Sequence, residues 1–426
     1  MQAQNSKLKT QNLRIKYSRF IYEKYDYKIS GNDLKIVFSF RIKPDITFQP
    51  KIIIENVDKK RLAGMGNEVL NNLIFHVGLM EMLSYWKATC SPEIEIRAGG
   101  LIPAQINWWK NLFIDGMGQF YYENKIDWKR PNFLQIISPD EKIGKIYSRK
   151  LKNRYLVPFA GGRDSIVTLE KLKKLKNEIS LFIVNPIEKI QKTARVSKIK
   201  KQIIVKRIID KKLLNLNKRG FLNGHTPFTG VLSFMSVLCA VVFDYKNIAF
   251  SNEKSAEEGN VKYLGKTINH QWAKSAVFEK MFSEYVKKYL AKNIHYFSYL
   301  RKYGELEISK MLTDYPQYFP VFSSCNAGMK IGAADKKRWC GNCLKCLFVY
   351  MSLYPYLEKK ELLKIFGNDI FENRGLLPAM KALIGKKTPK PFECIGTKAE
   401  TKKALFSAIK KTRGKKLPYL LRHFKI

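Results

Sequence analysis

Residues 155–172 read YLVPFAGGRDSIVTLEKL, and this stretch decides the fold. Residues 155–159 are a short apolar run, the pattern of a buried strand. Ile166, Leu169, Leu172 and Leu175 then fall near one face of a helix, with Lys171, Lys173 and Lys174 on the other side. Gly161 and Gly162 let the backbone turn tightly and approach a ligand closely. A helix start carries unpaired N–H groups and a positive dipole end, and both favour a phosphate. Ser165 adds a hydroxyl, and Asp164 a carboxylate suited to Mg²⁺. A nucleotide tail is the expected ligand. The same residues also compose a plain turn and helix cap.

From this stretch onward strands and helices alternate, the signature of a parallel sheet and an α/β fold. Strands are expected at 155–159, 180–185, 202–208, 247–251 and 294–298, and helices at 165–176, 228–243 and 271–291. Ligands of such sheets sit outside the carboxyl ends of the strands. The loops at 160–165, 185–195 and 251–260 are therefore the candidate site. Before this region, 25–29 and 34–42 are β-rich runs about a Ser30-Gly31-Asn32-Asp33 turn. A helix is expected over 67–86, a strand over 93–97, and a second helix from Pro103 that ends at Gly116 and Gly118.

The glycine loop is neither G-x-x-x-x-G-K-[ST] nor G-x-G-x-x-G. It resembles the S-G-G-x-D-S loop of the N-type ATP pyrophosphatase (PP-loop) superfamily, which cleaves ATP between the α and β phosphates and adenylates a substrate. Ala160 stands where that superfamily usually has Ser. The resemblance implies a parallel-sheet, adenine nucleotide α hydrolase-like domain over 151–320. An N-terminal α+β domain (1–150) would precede it, and a metal-stapled helical region (321–426) would follow.

At 426 residues the chain is long enough for two or three domains. The formal charge is extreme, 78 basic against 36 acidic residues, or +42. Such a field could draw RNA, an acidic membrane surface or a small polyanion. The lysines are dispersed, however, whereas a nucleic-acid face concentrates arginine with aromatics; composition drift is the favoured explanation. No run reaches 18 uninterrupted apolar residues, and the amino terminus has no apolar core of a signal peptide. These features predict a cytoplasmic protein with no membrane insertion, whose cysteines serve as ligands before disulfides.

Four of the seven cysteines, Cys325, Cys340, Cys343 and Cys346, follow C-x14-C-x2-C-x2-C. Four thiolates at this spacing suit one tetrahedral metal, zinc being favoured over an iron–sulfur cluster. A closed four-thiolate site leaves no open position, so its expected role is structural. Cys239 lies in an apolar helix and is expected in the core; Cys90 and Cys394 receive no role.

Two further segments carry polar chemistry. In Asn223-Gly224-His225-Thr226-Pro227, His225 is a candidate functional histidine, while Thr226 and Pro227 also fit a helix N-cap and N1. Asn252-Glu253-Lys254 follows a strand directly, where a carboxylate and an amine suit substrate contact or proton transfer. Trp108 and Trp109 are expected in the core. His76, His270, His295 and His423 have no site-like spacing.

Together, "IPAQINWWKNLFIDGMGQFYYENKI" (102–126), "FAGGRDSIVTLE" (159–170), "NGHTPFTG" (223–230), "FSNEKSAEEGN" (250–260), "SCN…WCGNCLKC" (324–346) and "KPFECIGT" (390–397) resemble the UDP-N-acetyl-α-D-muramoyl-L-alanyl-L-glutamate epimerase family of peptidoglycan precursor synthesis. The resemblance implies consumption of ATP, release of AMP and diphosphate, and conversion of the terminal L-glutamate of UDP-MurNAc-L-Ala-L-Glu to D-glutamate through an acyl-adenylate. It implies that Ala160, Gly161, Gly162, Arg163 and Ser165 hold the phosphates and that Asp164 holds Mg²⁺; Asn185, at a strand end, is the candidate contact to the adenosine. Glu253 is the first candidate proton carrier and His225 the second, with Asn252 and Lys254 on the substrate. Three rivals remain: a tRNA-modifying PP-loop enzyme, a relative of 7-cyano-7-deazaguanine synthase, which shares the cysteine wording, and a non-catalytic zinc-stapled nucleic-acid-binding protein.

Overall fold

A computed structural model describes residues 10–329, 338–386, 390–414 and 416–424; the amino-terminal stretch read for a leader lies almost wholly outside the described residues. The strands are β1 (Arg19–Ser30), β2 (Asp33–Ile42), β3 (Ile46–Phe48), β4 (Lys51–Ile54), β5 (Glu93–Ile96), β6 (Gln135–Ile137), β7 (Tyr155–Pro158), β8 (Ile179–Val184), β9 (Gln202–Ile208), β10 (Asn247–Phe250), β11 (Val261–Tyr263), β12 (Lys266–Ile268) and β13 (His295–Ser298). Eleven of them form one mixed sheet in the order β13-β10-β7-β8-β9-β4-β2-β1-β5-β6, with β3 beside β2.

The five strands β13-β10-β7-β8-β9 are mutually parallel. The chain builds outward from β7 through β8 to β9, then returns to the other side of β7 to lay down β10 and β13. The order reverses between β7 and β10, so the loops leaving their carboxyl ends diverge and open a crevice. The amino-terminal hairpin continues this sheet, because β4 pairs antiparallel with β9 from Lys51↔Ile208 to Ile54↔Val205. The four-residue β4 has no signal in the sequence that names its partner about 150 residues downstream.

Alternation along the central strands sends apolar side chains to both faces. Leu156, Phe182 and Ile248 join the core shared with the amino-terminal region. Val157, Leu181, Ile183 and Ala249 join a second core with the helices Arg163–Lys174, Glu305–Thr313 and Leu344–Leu353. The helix Phe228–Phe243 is apolar nearly all round because it packs between the sheet and the helix Asn67–Glu81. Trp109 is fully buried beneath it, with Trp108 packed alongside, and the Tyr285 hydroxyl accepts from Trp109 Nε1 at 3.0 Å.

Several local expectations need correction. The run 271–291 is not one helix. The Ser275 hydroxyl accepts from Phe278 N at 3.2 Å and starts a new helix, Ala276–Tyr289, after a 3₁₀ turn over Trp272–Lys274. Most of the expected loop 185–195 is the helix Glu188–Ser197. Gly118 opens a further helix, Gly118–Glu123, instead of ending one. Thr226 and Pro227 do not act as N-cap and N1: the helix begins at Phe228 with Pro227 in the cap position and no side-chain cap. The Thr226 hydroxyl instead accepts from Lys87 Nζ at 3.4 Å.

Candidate active site at the sheet reversal

The glycine loop leaves β7 at the reversal. Gly161 has φ of +70°, a conformation that disfavours any side chain, and a Cβ there would lie 3.1 Å from Thr193 Oγ1. Gly162 has an ordinary extended backbone, but a Cβ on it would lie 3.2 Å from Ser324 Oγ. Ser323 N donates to Gly161 O at 3.2 Å, and Arg163 N donates to Ser324 Oγ at 3.2 Å. The segment before Cys325 therefore closes against the loop. Ala160 is exposed at its mouth.

The structure turns the Arg163 guanidinium inward, away from the crevice. It is 1% exposed and donates to Glu305, to Ser309 Oγ at 2.9 Å and to Asp164 Oδ1 at 2.8 Å. Its side chain is therefore placed to hold Asp164 and not to meet a phosphate. Burial alone would raise the Asp164 carboxyl, but Arg163, Lys345 and Lys274 outweigh it and hold the group below its ordinary value. Ser165 Oγ donates to Gly162 O at 3.0 Å. Asn185 is exposed, with its amide clamped to the backbone of Arg207 on β9. That clamp joins two strand ends and accounts for both of its polar atoms.

The loop after β10 leaves the strand that pairs in parallel with β7, beside the glycine loop. Asn252 is buried and donates to Ser298 Oγ at 2.9 Å. Glu253 is 1% exposed, and its Oε2 has no hydrogen-bond partner among the described residues. Lys254 points to solvent, while its N–H donates to Tyr303 O.

Two lysines that the sequence does not single out complete the crevice. Burial alone would lower Lys274, but Cys394, Glu253 and Asp164 hold its ammonium above the ordinary lysine value. Lys345 is buried and donates to Cys394 O; its burial outweighs the pull of Asp164 and lowers it. Asp164, Glu253, Lys274, Lys345 and Cys394 thus belong to one electrostatic group.

Further along the crevice, the rings of His225 and His270 lie 4.5 Å apart. Burial, then His270 and Lys87, hold His225 down at about 3. Burial, then Lys274, hold His270 at about 4. His270 Nδ1 lies 2.6 Å from Gln119 Oε1, and Gln119 Nε2 donates to Glu123. That leaves the Gln119 oxygen as acceptor and places the proton on Nδ1. Lys87 Nζ donates to Gly224 O at 2.7 Å and positions the loop of His225. His270 carries no sequence signal; only the fold brings it to His225.

Cys325, Cys340, Cys343 and Cys346 place their sulfurs within 4.8 Å of one another, as expected from the spacing. The Cys340–Cys346 and Cys343–Cys346 separations are 3.7 and 3.4 Å. A tetrahedral ion with metal–sulfur bonds near 2.3 Å sets sulfurs about 3.8 Å apart, so the four residues can hold a metal. Gly341, at φ of +72°, makes the tight turn between the ligands. Lys345 stands between two of these cysteines, so a metal there would also fix the amine that reaches Cys394.

No helix among the described residues is long and apolar enough to cross a membrane. The family model of the MurL N-terminal domain matches residues 11–299, and that of the MurL C-terminal domain matches residues 321–424. The chain is 30% identical to a UDP-N-acetyl-α-D-muramoyl-L-alanyl-L-glutamate epimerase of Xanthomonas oryzae pv. oryzae, over 81% of this chain and 76% of that protein. It is 31% identical to proteins of the same name from Salinispora tropica and a Micromonospora species, over 89% of this chain and 80% and 82% of theirs. With both family domains spanning nearly all of its length and these relatives aligned across most of theirs, the chain belongs to the MurL family of UDP-N-acetyl-α-D-muramoyl-L-alanyl-L-glutamate epimerases.

Proposed function

We propose that this protein inverts the α-carbon of the terminal glutamate of UDP-MurNAc-L-Ala-L-Glu, with ATP cleaved to AMP and diphosphate, by the chemistry of the N-type ATP pyrophosphatases. The observation that carries the reading is the position, on either side of one sheet reversal, of the Gly161–Gly162 loop and of Glu253, whose Oε2 has no hydrogen-bond partner among the described residues.

The chemistry requires both. An α-proton beside a free carboxylate is hard to remove, because the carbanion forms next to an existing negative charge. Transfer of AMP to that carboxylate neutralises it and leaves an acyl group that accepts the electron pair as an enolate. Water then cleaves the mixed anhydride and makes the cycle irreversible. The glycine backbone, Ser165, Lys274 and Lys345 receive the phosphates, and the lysines offset charge as the α–β bond breaks. Asp164 is oriented by Arg163 and offers an oxygen to Mg²⁺, which when bound neutralises phosphate charge. Asn252 and the His225–His270 pair serve the substrate side, and Lys254 serves its exposed rim. Zinc at the four cysteines staples Ser323 and Ser324 against the loop. A UDP-linked precursor as substrate supports a cytoplasmic location.

An Asp164→Asn substitution tests the activation half. Diphosphate release from ATP in the presence of substrate should fall by about 100-fold or more. Release at the wild-type rate would remove Asp164 from the reaction.

A further inference from the structure

The strap 390–397, which carries Cys394, is laced to the loop that carries Glu253. Asn260 Nδ2 donates to Pro391 O at 2.6 Å, and Lys390 Nζ lies 2.6 Å from Glu258 Oε2. Lys398 N donates to the same Glu258 oxygen at 3.1 Å, just after Thr397 caps the following helix. Lys345 fixes the Cys394 carbonyl from the side of the cysteine cluster. Lys345 and Asn260 hold the strap by its backbone, and Cys394, half-buried, is charge-coupled to Lys274. Lys274 is also charge-coupled to Glu253, whose Oε2 is buried without a partner among the described residues. An unpaired buried carboxylate oxygen costs stability unless a ligand satisfies it. Two proton-carrying groups, on a loop and a strap that are laced together, are therefore charge-coupled to one ammonium that is also coupled to Asp164.

Resting on the epimerase reading, we propose that Cys394 is a catalytic residue, the proton carrier that works opposite Glu253 across the substrate α-carbon. One of the two groups, in its basic form, takes the α-proton as the Cα–H bond breaks, and the electron pair moves onto the acyl oxygen. The enolate then collapses and forms a new Cα–H bond on the other face, with the proton supplied by the acid form of the other group. The net transfer of one proton from one carrier to the other is reset through water. Lys274, charge-coupled to both Cys394 and Glu253, keeps the added negative charge balanced in either direction.

The test follows wild type, Cys394→Ser and Glu253→Gln in D₂O with ATP, Mg²⁺ and UDP-MurNAc-L-Ala-L-Glu. Glutamate chirality and α-deuterium in recovered L-substrate are read. Each variant should lose at least ~100-fold in inversion. One of the two, retaining the carrier on the L face, should still wash deuterium into unreacted substrate, which a merely damaged protein does not do. Inversion by Cys394→Ser within about threefold of wild type, or the absence of exchange from both variants, overturns the assignment. Wild type that never inverts its substrate removes the epimerase reading and this one with it, so the two failures are told apart. Alkylation of Cys394 in wild-type protein, followed by mass spectrometry, gives a check independent of variant folding: bound substrate with ATP should protect the thiol, and unchanged labelling contradicts the proposal.

Discussion

The backbone N–H of Arg163 donates to the Ser324 hydroxyl at 3.2 Å, tying the first residue of the helix after the glycine loop to the residue before Cys325. The cysteine cluster is thereby coupled mechanically to the loop expected to hold ATP. Ser323 repeats the link, through its N–H to Gly161 O and its hydroxyl to Arg338 O at 2.6 Å.

Removal of the metal should therefore weaken nucleotide binding as well as the fold. Cys343→Ser, or treatment with a strong chelator, should cost about 3 kcal/mol or more in unfolding free energy. It should also raise the KM for ATP, measured on whatever fraction remains folded. An unchanged KM for ATP with a lowered Tm would show that the cluster supports only its own region.

The Arg163–Glu305 pair is the deepest charge pair among the described residues, with side chains 1% and 0% exposed. Glu305→Gln should destabilise the protein by about 3–5 kcal/mol, because it leaves the guanidinium buried with less compensation. Denaturant unfolding reads the cost. Diphosphate release should fall with it, since the freed Arg163 no longer holds Asp164 in place.

The histidine pair sets a pH dependence. His225 and His270 are held at about 3 and 4, below the ordinary histidine value near 6.5. Below pH 6.5 the unfolded chain binds protons that the folded chain refuses, so stability is full above that value. It is lost as pH falls toward 4, at up to about 1.4 kcal/mol per pH unit for each histidine. His76, buried against Asn72 and Tyr285 and also lowered to about 4, adds in the same direction. Unfolding measured from pH 7 to pH 4.5 should show this decline, and His270→Gln should flatten it. A stability independent of pH over that range would contradict the burial of these rings.

The sequence discloses those elements whose burial is periodic. Gln202–Ile208 and Phe228–Phe243 fall where their apolar patterns place them, and β7, β8, β10 and β13 within a residue of it. The four cysteines are legible because metal geometry restricts spacing. What stays hidden depends on distant partners. β4 is four residues long and acquires its meaning from β9. Lys274 is one of 78 basic residues, and nothing local distinguishes it from the others. Cys394 and His270 stand singly in the sequence, and only the packing of the 390–397 strap and the 251–260 loop brings them to Lys274 and His225. Arg163 misleads in the opposite way: its place in the glycine motif suggests a phosphate contact, while Glu305, 142 residues away, draws it inside.

The central claim is tested most directly by mixing the purified protein with ATP, Mg²⁺ and UDP-MurNAc-L-Ala-L-Glu, then measuring AMP and the chirality of the product glutamate in the same sample. The account predicts AMP and D-glutamate-containing product appearing together, and neither in the absence of the other substrate. D-glutamate formed without AMP, or AMP formed while the glutamate remains wholly L, would contradict it.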